Sequence, residues 1–254
     1  MHSKSEYIAV FDSGVGGISV LRELIKQMPH ENYLYVGDSA NAPYGERAVQ
    51  QVRALTLQAV EDLIPRGVKA LVIACNTATA AAIGSLREMY PELIVVGIEP
   101  ALKVAADRFP AGRIGVMATR VTLGEEKFAH QVERFPQIQL YQIPAPGLVE
   151  LIESGHTDGP LVEALLREIL EPYAGKLDAL VLGCTHYPFV QDVIRKIMGA
   201  DTVLLDGGAG TARQTRRCLE AAGLLNDGPL HVQIENSTGS AALLELSAAL
   251  LNKE

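Results

Sequence analysis

Short apolar runs alternate with helical stretches along almost the whole chain, and this alternation restricts the fold more than any other feature. Several runs are apolar at consecutive positions, which is typical of strands covered by helices on both faces. The strand candidates are Tyr7–Phe11, Tyr33–Val36, Ala70–Ala74, Ile94–Val96, Arg113–Met117, Gln139–Ile143, Ala179–Leu182, Val203–Leu205 and His231–Ile234. Segments between them, such as 46–64, carry apolar residues at helical spacing. The pattern predicts an α/β fold with parallel sheets built from right-handed βαβ units.

The chain also contains an internal repeat. Lys69–Thr77 (KALVIACNT) aligns with Asp178–His186 (DALVLGCTH), and the alignment places Cys75 opposite Cys184. A looser similarity links the segment IAVFDSGVGG, which begins at Ile8, with the segment IGVMATRVTLG, which begins at position 114. Two halves of similar design predict two pseudo-symmetric α/β lobes, each with a mostly parallel sheet flanked by helices. We expect residues 1–98 and 208–254 to form the first lobe, and residues 99–207 to form the second.

Composition narrows the functional classes. The 254 residues include 22 Lys and Arg against 30 Asp and Glu, a formal net charge of −8, whereas a nucleic-acid binder normally carries excess positive charge. No apolar run approaches the ~20 residues that cross a bilayer, and the polar segment 1–6 does not resemble a secretory leader. Three cysteines are too few for a disulfide framework. We therefore expect a cytoplasmic globular protein that binds neither nucleic acid nor a membrane.

Cys75 and Cys184 each follow an apolar strand and precede a predicted helix. Ligands of α/β sheets bind beyond the carboxyl ends of the strands, and the positive end of a helix dipole favours a thiolate. A single free cysteine is most often a small buried hydrophobe, but burial does not require two cysteines at equivalent positions of a repeat. Cys218 lies in the helical run 211–222 without polar partners beside it, and we interpret it as structural.

Three chemistries compete for the cysteine pair. A redox pair usually has its thiols close in sequence, as in Cys-x-x-Cys, and that spacing is absent. Cys75, Cys184 and His186 would supply three metal ligands, but no second ligand pair lies at zinc spacing. Inversion of a stereocentre needs a base on one side of a carbon and an acid on the other. Of the three, only this proton transfer explains the repeat.

Other residues at the same predicted sheet edges fit this chemistry. The glycines of Asp12–Gly17 (DSGVGG) free backbone N–H groups for a small anion such as a carboxylate, and their spacing is that of neither a Walker nor a dinucleotide loop. Asp12 falls at the same edge as Cys75 and is a candidate to orient or deprotonate it. His186, two residues beyond Cys184, is a candidate to support that thiolate or to accept its proton.

Four segments together resemble the signatures of glutamate racemase, a family of the cofactor-independent aspartate/glutamate racemase superfamily. They are FDSGVGG (Phe11–Gly17), APYG (Ala42–Gly45), ACNTATA (Ala74–Ala80) and GCTHYP (Gly183–Pro188). The resemblance covers nearly the whole chain in the family's order. It implies two lobes with the active site between them, often as a homodimer. The implied reaction interconverts L- and D-glutamate without cofactor or metal and supplies D-glutamate for peptidoglycan.

The resemblance also implies roles for individual residues. Cys75 corresponds to the base that acts on D-glutamate, and Cys184 to the one that acts on L-glutamate. Asp12 would assist Cys75, and His186 would assist Cys184. The family's further acidic assistant matches Glu153, with Glu150 as a nearby competitor. The implied substrate contacts are Asp12, Ser13, Pro43, Tyr44, Gly45, Asn76, Thr77, Thr185 and His186.

Two alternatives stay open on the sequence alone. A racemase of aspartate or another amino acid would differ only in the size of its side-chain pocket. Some glutamate racemases inhibit DNA gyrase, so a protein of this fold that acts mainly by binding a partner is the second alternative, although no motif here signals it. A non-catalytic amino-acid binding protein would not need paired cysteines.

Overall fold

The computed structural model describes residues 2–124 and 126–253, in which parallel strands alternate with helices. The strands are β1 (Tyr7–Asp12), β2 (Asn32–Gly37), β3 (Val68–Ile73), β4 (Ile94–Gly97), β5 (Arg113–Ala118), β6 (Gln139–Pro144), β7 (Ala179–Leu182), β8 (Val203–Asp206) and β9 (His231–Asn236). Every predicted strand overlaps one of these, and every strand pairing is parallel. The predicted α/β fold is confirmed.

Helices follow most strands. They are α1 (Ile18–Gln27), α2 (Val49–Leu63), α3 (Asn76–Met89), α4 (Leu102–Arg108), α5 (Arg120–Gly124), α6 (Glu126–Glu133), α7 (Leu148–Glu153), α8 (Gly159–Leu170), α9 (Gln191–Met198), α10 (Gly208–Ala221) and α11 (Ala241–Asn252). Helix α2 begins later than the predicted helix 46–64 because Tyr44–Glu46 forms a separate 3-10 turn. Among the helices of the described residues, none is long and apolar enough to span a membrane.

The first of two compact units runs up to Glu99 and resumes at Gly208. Its five-stranded sheet has the order β4-β3-β1-β2-β9. Ala9 and Phe11 of β1 pack in a core cluster with α2 and α3, whereas the alternate residues Ile8 and Val10 point to the other face and are equally buried. This burial on both faces explains why β1 is apolar at consecutive positions.

The second unit spans Pro100–Gly207 and contains a four-stranded sheet in the order β6-β5-β7-β8. Its core cluster joins alternate residues of β5, such as Ile114 and Val116, to Leu102 and Ala105 of α4 and to Phe128 of α6. The central strands β5 and β7 correspond in the sequence repeat to β1 and β3 of the first unit.

The repeat has matching backbone contacts in the two sheets. Immediately before Cys75, the Ala74 N–H donates to the carbonyl oxygen of Phe11 at 2.8 Å, and immediately before Cys184, the Gly183 N–H donates to that of Met117 at 2.7 Å. A Cβ atom on Gly183 would lie 2.9 Å from the Ala118 Cβ, so the second sheet needs glycine at this close approach. Each cysteine is therefore held at the carboxyl edge of its own sheet.

A buried ion pair links β3 to the segment that follows α10 in the first unit. Lys69 Nζ lies 2.6 Å from Glu31 Oε2, and the two side chains are 0% and 1% exposed. Lys69 Nζ also donates to the carbonyl oxygens of Lys4 and, at 3.0 Å, Leu224. The Asn226 N–H donates to the other Glu31 oxygen at 2.9 Å. The pair thus joins the start of β3 to the segment after α10.

We predict that Lys69→Met destabilises the protein by about 3–5 kcal/mol, because it leaves the Glu31 carboxylate buried without its cation. Urea-induced unfolding measures the loss. Arg167→Met is the control: Arg167 lies 2.7 Å from Glu163, and these side chains are 49% and 48% exposed, so its loss costs at most about 1 kcal/mol. Equal losses in the two variants would contradict a structural role for the buried pair.

Candidate active site

Cys75 occupies the N-cap of α3, directly beyond β3. Its buried sulfur accepts a hydrogen bond from the Ala78 N–H at 3.4 Å and lies 3.5 Å from Ser13 Oγ. The predicted helix start after Cys75 is confirmed, and the free N–H groups of this helix end favour negative charge on the sulfur. The sulfur therefore has a backbone donor and a hydroxyl within reach.

The DSGVGG segment connects β1 to α1 at the same sheet edge. Asp12 is the last residue of β1 and is fully buried, and one of its carboxylate oxygens accepts from the Gly14 N–H at 3.0 Å. A Cβ atom on Gly17, the N-cap of α1, would lie 2.6 Å from the Asp12 Cβ. Glycine at position 17 therefore lets the start of α1 pack against the Asp12 side chain.

Tyr44 is buried in the same core cluster as Cys75, within the 3-10 turn that Pro43 precedes and that contains Gly45. Its hydroxyl donates to Asp38 Oδ2 at 2.7 Å. Burial raises the pKa of Tyr44 most, and the hydrogen bond to Asp38 and the negative charges of Asp38, Cys75 and Asp12 raise it further. Tyr44 is therefore a protonated phenol whose surroundings include both Cys75 and Asp12.

Asn76 and Thr77 form the first turn of α3 and are both buried. The Asn76 side-chain oxygen has no hydrogen-bond partner within the described part of the chain. An unsatisfied buried acceptor costs about 1–3 kcal/mol, so a bound molecule with an N–H donor would remove this cost. Asn76 is thus placed to accept a hydrogen bond from a ligand next to Cys75.

In the second unit, Cys184, His186 and Glu153 form a chain of contacts. Cys184 Sγ lies 3.6 Å from His186 Nδ1, and His186 Nε2 lies 2.7 Å from Glu153 Oε1. The His186 and Glu153 side chains are 3% and 16% exposed. Thr185, between the cysteine and the histidine, is also buried. Glu153 is the last residue of α7, so this helix brings a carboxylate to the edge of β7.

The protonation of His186 is set by opposing effects. Burial lowers its pKa, but the hydrogen bonds with Cys184 and Glu153 and the negative charges of these groups outweigh burial, so the pKa lies well above the ordinary value. His186 therefore keeps its positive charge to higher pH than a free imidazole. Glu150, the competing acidic candidate, is exposed. It acts on Tyr187 instead, whose pKa is raised first by burial, then by the charge of Cys184 and least by that of Glu150.

The structure refines one detail of the sequence interpretation and contradicts another. The predicted helix after Cys184 starts as the 3-10 turn Tyr187–Val190, which contains Pro188, and continues as α9 from Gln191. The group that contacts the Cys184 sulfur is His186. Cys218 also has a polar partner, since Gln214 Nε2 lies 3.2 Å from its sulfur. The two residues are four apart on α10 and share one helix side.

Sequence reasoning missed two polar residues at these edges. Asp38 directly follows β2, the neighbour of β1, so its position after a predicted strand was the available signal. Thr119 follows β5, and its hydroxyl donates to Thr122 Oγ1 at 3.1 Å, at the same edge as Cys184. The looser repeat aligns Thr119 with Ser13. No three His, Cys, Asp or Glu side chains among residues 2–124 and 126–253 group to hold a metal ion.

Comparisons with known proteins bear on the whole chain. The family model for Asp/Glu/hydantoin racemases matches residues 12–215. A glutamate racemase from Clostridium perfringens is 46% identical over 252 residues, which cover 98% of this chain and 97% of the relative.

Two solved structures are similar throughout. The glutamate racemase isoform RacE1 from Bacillus anthracis has a TM-score of 0.89 at 32% identity, covering 99% of this chain and 96% of the other. A glutamate racemase from Francisella tularensis, in complex with D-glutamate, has a TM-score of 0.85 at 29% identity, covering 99% and 95%. The resemblance inferred from the four motifs is confirmed: the chain is an isomerase that belongs to the Asp/Glu/hydantoin racemase family.

Proposed function

We propose that this protein is a glutamate racemase that interconverts L- and D-glutamate through two cysteine bases. The relatives support the substrate, because the Clostridium perfringens protein carries that name at 46% identity and the Francisella tularensis structure contains D-glutamate. One observation supports the mechanism: a buried cysteine lies at the edge of each sheet, and each cysteine has neighbours that can donate or accept a proton. These are Ser13 at Cys75 and His186 with Glu153 at Cys184.

The proton transfer follows from these partners. In the L-to-D direction the Cys184 thiolate, stabilised by the positively charged His186, removes the α-proton of L-glutamate. The Cys75 thiol donates its proton to the opposite side of the same carbon, which yields D-glutamate. The turnover leaves Cys184 as a thiol and Cys75 as a thiolate, the form that acts on D-glutamate. The N-terminus of α3 and Asp12 assist at Cys75.

Recognition of the substrate uses backbone N–H groups, uncharged polar side chains and the positively charged His186. The N–H groups of the Asp12–Gly17 loop, apart from that of Gly14, which donates to Asp12, hold a carboxylate at the start of α1. The Asn76 oxygen accepts from the substrate ammonium. Further contacts come from Ser13, Pro43, Tyr44, Gly45, Thr77, Thr185 and His186. An α-proton is far less acidic than a thiol, so fixed donors to the carboxylates and the exclusion of water must lower most of the barrier.

The wider role follows from the family. D-glutamate is a component of peptidoglycan, and we propose that the enzyme supplies it in the cytoplasm, as a homodimer and without cofactor. Membrane lipids and nucleic acid are not partners in this proposal.

The first test is incubation of the purified protein with L- or D-glutamate in heavy water. We predict loss of optical rotation together with deuterium at Cα, because the returning proton comes from a thiol that exchanges with solvent. Cys75→Ser and Cys184→Ser each lower the rate of inversion by about 10²–10⁴-fold. Polarimetry and mass spectrometry measure the two quantities.

Cys218→Ser is the matched control, because Cys218 lies on α10 outside both cysteine sites, and it should retain the wild-type rate. Aspartate is tested in parallel, and faster inversion of aspartate than of glutamate would replace the proposed substrate. An active Cys184→Ser variant would disprove the two-cysteine mechanism.

The second test concerns His186. We predict that Glu153→Gln lowers the pKa of His186, since it removes a negative charge that raises it and replaces a charged hydrogen-bond acceptor by a neutral amide. NMR titration of ¹³C-labelled histidine side chains follows the ring directly. Glu150→Gln, on the same helix, is the control and should leave this titration in place. If both variants shifted the titration equally, Glu153 would lose its assignment as the acidic assistant.

A further inference from the structure

Asp38 is a buried carboxylate next to the Cys75 site that no role described so far uses. Asp38 is the first residue after β2, and it is 6% exposed. Both of its oxygens accept from Asn41 Nδ2, at 3.1 Å and 3.0 Å, and Oδ2 also accepts from the Tyr44 hydroxyl at 2.7 Å. Its N–H donates to the Asp12 carbonyl oxygen at 2.9 Å. The Asn41 N–H also donates to the Asp38 carbonyl oxygen at 3.0 Å, so Asp38 is firmly held at the edge that carries Asp12.

Tyr44 connects this carboxylate to the reacting cysteine. Its ring lies 6.4 Å from that of Phe11, at an interplanar angle of 51°, and belongs to the core cluster that includes Cys75. The titratable groups that act on the Tyr44 hydroxyl are Asp38, Cys75 and Asp12. Since the hydroxyl has a single proton and donates it to Asp38, this proton is not available to the Cys75 sulfur.

We propose that Asp38 is a positioning residue for the proton transfer at Cys75: it holds the Tyr44 hydroxyl, and with it the 43–45 turn, and its charge favours the Cys75 thiol and opposes the N-terminus of α3, which favours the thiolate. This inference rests on the proposed function, because it concerns the thiol that donates a proton to the substrate carbon. A negative charge close to a thiol disfavours the thiolate. A thiol at rest is the form that Cys75 needs when Cys184 acts as the base.

A purely structural role predicts different behaviour. If Asp38 only held the turn in place, Asp38→Asn would keep both hydrogen-bond partners at a neutral amide and would affect stability alone. If its charge acts on Cys75, the same substitution changes the titration of that thiol. The Tyr44→Phe variant separates the two, because it breaks the turn contact but leaves the Asp38 charge in place.

The test uses the full chain with Cys184→Ala and Cys218→Ala, so that Cys75 is its single cysteine. Ultraviolet absorbance of the thiolate against pH then reports Cys75 alone. We predict that Asp38→Asn moves the midpoint to lower pH by roughly one unit, that Asp38→Glu restores most of it, and that Tyr44→Phe does not lower it. In the chain with all cysteines, Asp38→Asn lowers kcat about ten-fold in the L-to-D direction, because less Cys75 is then in the thiol form that donates the proton.

Tyr33→Phe is the matched control, because Tyr33 is an equally buried phenol whose hydroxyl donates to the Leu24 and Met28 carbonyl oxygens, away from Cys75. It should affect unfolding without moving the Cys75 midpoint. An unchanged midpoint in Asp38→Asn, in a variant with a native circular dichroism spectrum, would overturn the inference. Failure of the wild-type protein to invert glutamate would instead overturn the proposed function, while the thiol titration would still measure the effect of Asp38.

Discussion

The parallel register of the central strands is the constraint on which both candidate sites depend. Because β3 runs parallel to β1 and β7 runs parallel to β5, the residues that follow each pair reach the same edge of their sheet. The backbone bonds from Ala74 to Phe11 and from Gly183 to Met117 extend this pairing by one residue beyond the strands. They fix the chain immediately before each cysteine, so the sulfur position follows from the sheet and not from a loose loop.

The sequence predicted those features of the fold and the site that depend on the local pattern of residues. Consecutive apolar residues marked strands covered on both faces, and the repeat marked Cys75 and Cys184 as equivalent positions. The start of a helix at Asn76 followed from the same reasoning. At Cys184 the predicted helix is present but starts with the 3-10 turn Tyr187–Val190. Local sequence periodicity does not distinguish a 3-10 turn from the first turn of an α-helix, because both begin with a turn after a strand.

The local sequence pattern did not predict which side chains from different elements come into contact. The Glu153–His186 contact joins residues that are 33 positions apart, and the choice of Glu153 over Glu150 depends on how α7 is rotated against the edge of β7. That rotation is decided by the packing of Leu148 and Ile152, which are fully buried. The Asp38–Tyr44 contact joins residues only six positions apart, but local periodicity does not predict it either, because it depends on the burial of the Tyr44 ring near Phe11.

The two cysteines occupy equivalent positions, yet their proton-handling partners have diverged. Cys75 has a helix N-terminus, a hydroxyl and nearby carboxylates, whereas Cys184 has a histidine that a carboxylate keeps charged. Thermodynamics limits the effect that this asymmetry can have on the kinetics of a racemase. The enantiomers of a free amino acid have equal free energies in water, so kcat/KM must be the same in both directions whatever the surroundings of each sulfur. Differences between the sites can therefore change kcat and KM in each direction, but only by the same factor, so that their ratio is unchanged. They also decide which sulfur carries the proton before the substrate binds.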